Sequence, residues 1–279
     1  MLELRATKAY IFACVMWIGC AHGGVNEPTS ANPVPEASIT TREVDYHAGA
    51  TRMKGFIAYP STTEKRPVVL VVHEWWGLND YARSRARQLA EMGYVGMAID
   101  MYGEGRSTTH PDDAKKFMQE VLANAGVAAE RFRAAEALIK SDPRADGAKI
   151  AAIGYCFGGG VVLAMARQGE PLAVVASFHG MIASEAPMAK GTFAGRIFVA
   201  TGAADPFVPS EQVEAFKREM DAAGARYEVE VYEGALHGFT NPAATEAGKA
   251  GNMPLGYDEA ADNASWAKLS SMLSEAFGS

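Results

Sequence analysis

Cysteine is scarce in this chain, with three in 279 residues. Cys14 and Cys20 fall near the N-terminus, so the remainder carries Cys156 alone and can form no intramolecular disulfide. Basic charge is short as well: 26 Lys and Arg stand against 33 Asp and Glu, a formal net charge of −7. That balance excludes a nucleic-acid partner of the ordinary kind, which needs a basic face. No apolar run reaches the roughly 20 residues that a membrane-spanning helix requires. No Cys/His spacing reads as a metal site, no glycine cluster makes a phosphate loop, and no segment repeats, so neither a metal nor an organic cofactor is expected. What remains is ordinary for a globular protein, 48% hydrophobic and 21% charged, and long enough for one α/β domain with a sizeable core.

The first 20 residues stand apart. Arg5 and Lys8 precede the apolar stretch Ala9-Tyr10-Ile11-Phe12-Ala13-Cys14-Val15-Met16-Trp17-Ile18-Gly19. It is too short to span a bilayer and suits a signal-peptide core. Ile18-Gly19-Cys20 resembles the end of a bacterial lipoprotein cleavage box, which makes Cys20 a candidate lipidated N-terminus, although Trp17 departs from the usual aliphatic residue. Ordinary secretion with cleavage near Ala21-His22, an uncleaved anchor, and a cytosolic extension are the alternatives. Residues 21–38, rich in Gly, Pro, Asn and Ser, read as a flexible tether. The expected organisation is therefore a leader (1–20), a tether (21–38) and one domain (39–279), exported to the periplasm or held on the bacterial envelope, with the membrane met only through a lipid anchor.

Within the domain, apolar runs at 68–72, 94–99, 150–153, 173–178, 197–200 and 227–232 alternate with helical patterns. This alternation predicts a three-layer α/β/α sandwich on a mostly parallel sheet. Segments 41–47 and 53–59 suit an antiparallel entry ribbon. Asn79-Asp80 caps a helix that ends at Gly93, 111–140 is helical in two pieces around Ala125-Gly126, 210–223 is a helix stopped by Gly224, and 258–277 closes the chain. Trp266, Leu269, Met272 and Leu273 have the spacing of a packing stripe on that last helix.

Against that frame sits Gly154-Tyr155-Cys156-Phe157-Gly158, preceded by the strand run and followed by Val161-Val162-Leu163-Ala164-Met165-Ala166. It is the G-x-nucleophile-x-G pattern of a sharp strand-to-helix turn, with cysteine in the nucleophile's place. Small residues two positions either side let the backbones approach, and the positive end of the following helix favours a thiolate. A buried inert cysteine is the competing reading. The order downstream weighs against it. Asp205 follows the 197–200 strand, and His237 follows the 227–232 strand, so nucleophile, acid and histidine appear in the order of an α/β-hydrolase triad. Each lies just past the C-terminal end of a strand, where open α/β sheets place their sites. His237 is the expected general base and Asp205 the residue that orients it.

Gly154-Tyr155-Cys156-Phe157-Gly158-Gly159, Asp205-Pro206, Leu236-His237-Gly238-Phe239, Val71-Val72-His73-Glu74-Trp75-Trp76-Gly77-Leu78-Asn79 and Ala98-Ile99-Asp100-Met101-Tyr102-Gly103 together resemble the dienelactone hydrolase family, over roughly residues 40–277. The resemblance implies an α/β-hydrolase fold that cleaves lactones and esters. It implies Cys156 as nucleophile, His237 as base, Asp205 as acid and Glu74 as a carboxylate beside the resting thiol, with the backbone amides of Trp75 and Phe157 as the oxyanion hole. A carboxylate there would disfavour the thiolate by like-charge repulsion. The chain departs from the family at two carboxylate-binding arginines. Glu104 stands at one position, with Arg106 two residues on, and Asn241 at the other. Asn cannot replace Arg as a charge. Tyr102, Arg106, Phe239 and Asn241 are the expected substrate-contacting positions. Trp75, Trp76, Tyr102, Phe157, Phe207 and Phe239 predict an aromatic-walled pocket for apolar acyl or lactone substrates. His73 and His179 end strands near the site and read as structural. The expected partner is a small-molecule ester or lactone. A general carboxylesterase or thioesterase, and a non-catalytic envelope binding protein on the same scaffold, are the competing functions.

Overall fold

A computed structural model of the chain describes residues 38–278. The leader and nearly all of the tether, including the proposed lipidation of Cys20, lie outside the described residues. Eight strands form one sheet: β1 (Thr40–Ala48), β2 (Thr51–Tyr59), β3 (Arg66–Val72), β4 (Val95–Ile99), β5 (Ala145–Tyr155), β6 (Val174–Phe178), β7 (Arg196–Gly202) and β8 (Arg226–Tyr232). Their order across the sheet is β1-β2-β4-β3-β5-β6-β7-β8. β1 and β2 form the antiparallel entry ribbon, β2 also pairs antiparallel with β4, and every other pairing is parallel.

The inner strands read as unbroken apolar runs because helices cover both faces. From β3, Val69 and Val71 face α1 (Asp80–Glu91) and α7 (Glu259–Phe277), packing with Ala82, Ala86, Leu89, Leu269 and Met272. Val68, Leu70 and Val72 face the other layer, made by α2 (Pro111–Leu122), α3 (Ala125–Lys140), α4 (Phe157–Arg167) and α5 (Ser210–Ala223), with Phe132, Ile139, Val162, Met165 and Phe216 among the contacts. The three-layer α/β/α architecture is the one the alternating pattern predicts.

Local chemistry sets the helix ends. Asn79 caps α1 by accepting from the Ala82 amide at 3.2 Å, and Asp258 caps α7 by accepting from the Ala261 amide at 3.0 Å. Asn124 caps α3 through the Gly126 amide at 3.0 Å, so the break between α2 and α3 falls at 123–124, just ahead of the expected Ala125-Gly126. β5 begins five residues before the expected 150, because Ala145 and Asp146 pair with Arg66 and Pro67 ahead of a register shift. One helix, α6 (Ala244–Gly251), is not anticipated by the pattern. Its Ala-Thr-Glu-Ala-Gly-Lys-Ala-Gly sequence has no apolar stripe, and no side chain caps its start.

β3 lies between β4 and β5, so the chain leaves β3 in one direction and returns on its other side. That reversal opens a crevice at the C-terminal ends of β3 and β5, the usual ligand position in open α/β sheets. Glu74 follows β3 and Cys156 follows β5.

Candidate active site

Cys156 sits between β5 and α4 at φ 53° and ψ −115°, a left-handed conformation that costs a non-glycine residue energy. Close packing enforces it. A Cβ on Gly154 would lie 2.1 Å from the Gly158 carbonyl oxygen, and one on Gly158 would lie 2.4 Å from the Val72 carbonyl oxygen. Only glycine at both positions lets the turn close against β3. Cys156 is half-buried, and the Phe157 amide behind it is the first of α4, where no intrahelical acceptor exists. Among the described residues the Trp75 amide likewise donates to no backbone acceptor.

Asp205 and His237 come together from the loops after β7 and β8. His237 Nδ1 lies 2.8 Å from Asp205 Oδ2, and the other carboxylate oxygen accepts from the Phe207 amide at 2.8 Å. With Nδ1 donating to the carboxylate, Nε2 is left for the thiol side. Burial pushes the imidazole's pKa down, but the charge and hydrogen bond of Cys156 and those of Asp205 together hold it well above the ordinary histidine value. Asp205 and His237 are both buried, so little water screens this pairing.

Glu74 is buried and lines the same pocket as Cys156 and His237. Burial pushes its carboxyl up to about 7, against the opposing pull of the Asn241 hydrogen bond and of the His237 and Arg85 charges. Asn241 Nδ2 donates to Glu74 Oε2 at 2.7 Å. His73 fixes the backbone of this segment. Its Nδ1 lies 2.5 Å from the Glu74 carbonyl oxygen, and its Nε2 accepts from the Met101 amide at 3.1 Å.

The pocket has a volume of about 520 Å³. Two backbone zips build its walls. Gly77 bridges Ser107, and the Thr108 amide donates to the Trp76 carbonyl at 2.9 Å, which brings Ser107, Thr108 and Thr109 beside Trp75 and Trp76. On the other side His237 bridges Leu255, and the Gly256 amide donates to the His237 carbonyl at 3.1 Å, which seats Ala243, Ala244, Ala247 and Leu255 opposite.

The structure corrects three of the four expected substrate contacts and reassigns the fourth. Arg106 does not face the pocket. It donates to the Tyr102 carbonyl at 2.6 Å and to Glu120 at 3.0 Å, over the Phe117 ring. Tyr102 is buried behind the pocket, where its hydroxyl donates to the Trp75 carbonyl at 3.0 Å and so steadies the expected oxyanion loop. Phe239 is fully buried against His179 and Tyr232, because the histidine loop turns it inward to the sheet. Asn241 does line the pocket, but its amide is committed to Glu74. The aromatic wall is accordingly two tryptophans. Phe157 packs inside, and Phe207 lies exposed with its ring edge-on to His237 at 5.0 Å.

His73 and His179 are fully buried, as structural histidines. His179 Nε2 lies 2.8 Å from Thr240 Oγ1, which is 2.6 Å from the Tyr81 hydroxyl. Arg85 anchors this network, donating to the Thr240 carbonyl at 2.7 Å and to Asp262 at 2.6 Å. It thereby pins the loop that carries His237. Nothing in the sequence marks Arg85, because a helix arginine ordinarily points to water. The pocket residues Ser107, Thr108, Thr109 and those of α6 are equally unmarked, and Asn79 is marked only as a helix cap. Among the described residues no three His, Cys, Asp or Glu side chains are grouped to hold a metal ion.

Comparison with known proteins bears on the family and the fold. The model of the dienelactone hydrolase family matches residues 53–277. A protein of Aquifex aeolicus (strain VF5) named as a carboxymethylenebutenolidase is 29% identical over 204 residues, covering 71% of this chain and 86% of its own. The crystal structure of a dienelactone hydrolase-like promiscuous phosphotriesterase from metagenomic libraries superposes with a TM-score of 0.80 at 35% identity, covering 86% of this chain and 99% of that one. A Klebsiella pneumoniae structure solved under the dienelactone hydrolase name, at 21% identity and a TM-score of 0.71 over 85% of this chain and 99% of that one, supports the fold alone. The chain belongs to the dienelactone hydrolase family and is a hydrolase.

Proposed function

We propose that the chain cleaves carboxylic esters or lactones with Cys156 as nucleophile. The observation that carries this reading is the pairing of a cysteine held at φ 53° at the head of α4 with a histidine whose Nδ1 is bound by a buried carboxylate at 2.8 Å, both opening on one pocket. His237, with Glu74 beside it, takes the thiol proton. The Sγ attacks the carbonyl carbon, and the amides of Trp75 and Phe157 receive the developing oxyanion. The tetrahedral intermediate collapses by breaking the C–O bond, the imidazolium gives its proton to the departing alkoxide, and a thioester remains. Water deprotonated by His237 then attacks that thioester, releasing the acid and restoring the thiol. In a lactone the alcohol stays attached to the acyl group; in an acyclic ester it leaves.

Hydrolysis of p-nitrophenyl butyrate tests the nucleophile. Cys156→Ala is expected to abolish turnover, and iodoacetamide to inactivate the native protein in step with alkylation of Cys156, followed by peptide mass spectrometry. Unchanged hydrolysis in Cys156→Ala would remove the cysteine mechanism. Comparing a neutral short-chain ester with a simple γ-lactone separates a general esterase from a lactonase, and turnover of the ester alone decides for the former. The phosphotriesterase relative, 35% identical, favours a second reading in which uncharged phosphotriesters are also accepted, checked by paraoxon hydrolysis. We also propose that the domain works outside the cytoplasm. The leader-like residues 1–20, and a domain whose only cysteine sits in the site, support this. Mass spectrometry of the processed N-terminus decides it: a diacylated Cys20 supports the anchor, and an intact Met1 removes it.

A further inference from the structure

The pocket is short of positive charge. Among the described residues no lysine or arginine lines it, and its ionisable groups are Cys156, His237 and the buried Glu74. The nearby cations are spoken for. Arg106 is turned out onto the Tyr102 carbonyl and Glu120. Arg85 lies on the far side of the histidine loop, bound to Asp262 and to the Thr240 carbonyl. The Asn241 side chain is used at both ends, its Nδ2 on Glu74 at 2.7 Å and its Oδ1 accepting from the Ala243 amide at 3.0 Å. What faces an incoming acyl group is apolar on two sides, Trp75 and Trp76 against Ala244, Ala247 and Leu255, with a rim of neutral hydroxyls and an amide from Ser107, Thr108 and Asn79.

We propose that this pocket selects acyl groups that carry no charge, and that the Glu74–Asn241 pair is the element that turns carboxylate-bearing substrates away. The proposal rests on the reading of this pocket as the acyl site of the hydrolase. A substrate carboxylate entering here would leave water, meet no lysine or arginine, find the His237 imidazole already engaged with Asp205 and Cys156, and face a second carboxyl that holds the Asn241 amide. A buried charge left unpaired is strongly disfavoured, whereas an isosteric neutral ester loses only weak hydration. An Arg at 241 would reverse both effects at once. The neutral Asn fixes Glu74 without adding a charge to greet a ligand.

The test uses the full chain and a matched pair of substrates, the mono-p-nitrophenyl ester of succinic acid and the same compound with its free acid methylated. At pH 8 the first is an anion and the second is neutral, with nearly the same shape. The expected kcat/KM ratio is about 100-fold or more in favour of the neutral ester, from the cost of the unpaired charge. Ala247→Lys on the half-buried wall of α6, and separately Thr109→Lys on the exposed rim, put a cation at the pocket without touching Cys156, His237, Asp205 or Glu74. At least one is expected to shift the ratio toward the anion by about tenfold, as a partly screened ion pair would. A ratio below about threefold in the native protein, or a large ratio that neither lysine variant moves, overturns the proposal. Cys156→Ala, assayed alongside, keeps the two readings apart. Hydrolysis surviving in that variant would sink the cysteine mechanism while the selectivity ratio stands on its own.

Discussion

Replacing Glu74 with Gln tests the electrostatics of the site through stability rather than rate. The carboxyl titrates near 4.5 in the unfolded chain and is raised to about 7 in the fold, chiefly by burial. The folded state therefore prefers the protonated acid. Stability associated with this group is fully present below pH 4.5 and is lost as pH rises through 7. The difference of roughly 2.5 units corresponds to about 3 kcal/mol, which the native protein forgoes once the acid is ionised. A Gln at 74 is neutral at every pH, nearly isosteric with the protonated acid, and can still accept from Asn241. The expected outcome is a variant of nearly native stability at pH 5 that becomes more stable than the native chain by about 3 kcal/mol at pH 8.5. Urea unfolding followed by tryptophan fluorescence at half-unit pH steps measures this directly. The groups facing Glu74, namely Asn241 and His237 from the loop after β8 and Arg85 from α1, are unchanged in the comparison. A stability difference that stays flat between pH 5 and 8.5 would refute the reasoning, because it would mean that the carboxyl is not held neutral by burial. The same variant is expected to lose about 10²-fold in kcat/KM at pH 8, the ordinary effect of removing a group that helps move a proton. Gain of stability with loss of rate would mark Glu74 as a residue kept for function at the expense of the fold.

Asp205→Asn is expected to lower kcat by about 10⁴-fold while the far-UV circular dichroism stays native, because the histidine keeps its place and loses its tautomer. Gly158→Ala places a Cβ 2.4 Å from the Val72 carbonyl oxygen and is expected to destabilise by about 1–3 kcal/mol in urea unfolding, with activity lost through a displaced Cys156. Arg85→Met strands Asp262, which ordinarily receives its guanidinium at 2.6 Å, and is expected to destabilise by about 3–5 kcal/mol in the same measurement. Removing the second charge in Arg85→Met/Asp262→Leu should recover most of that loss, since two apolar groups leave no orphan.

Glu74 and Cys156 meet because the sheet reverses its order between β3 and β5, so residues directly after each strand share one crevice. The strand ends were readable before folding; the reversal was not. The β-branched runs, the glycine spacing around Cys156 and the order of cysteine, aspartate and histidine are all local patterns. Periodicity and turn chemistry carry them within a few residues. The same holds for the caps at Asn79 and Asp258, whose side chains reach only their own helix. The helix α6 escaped because neither stripe nor cap signals it. It is held by its seat against the 253–256 segment, where the Met253 amide donates to the Gly248 carbonyl at 2.9 Å.

The sequence by itself determined the class of fold, the positions of Cys156, Asp205 and His237 at strand ends, and the glycines that the turn requires. Only the tertiary structure decided which side chains face the substrate. Arg106 was drawn outward by Glu120 and the Tyr102 carbonyl, Phe239 and Tyr102 were taken into the core, and Asn241 was bound to a glutamate 167 residues away. Direction and burial depend on partners distant in the chain, and a one-dimensional pattern records the side chain but not the company it keeps. Burial in that company is also what raised Glu74 toward neutrality, and it left the pocket lining without a lysine or arginine.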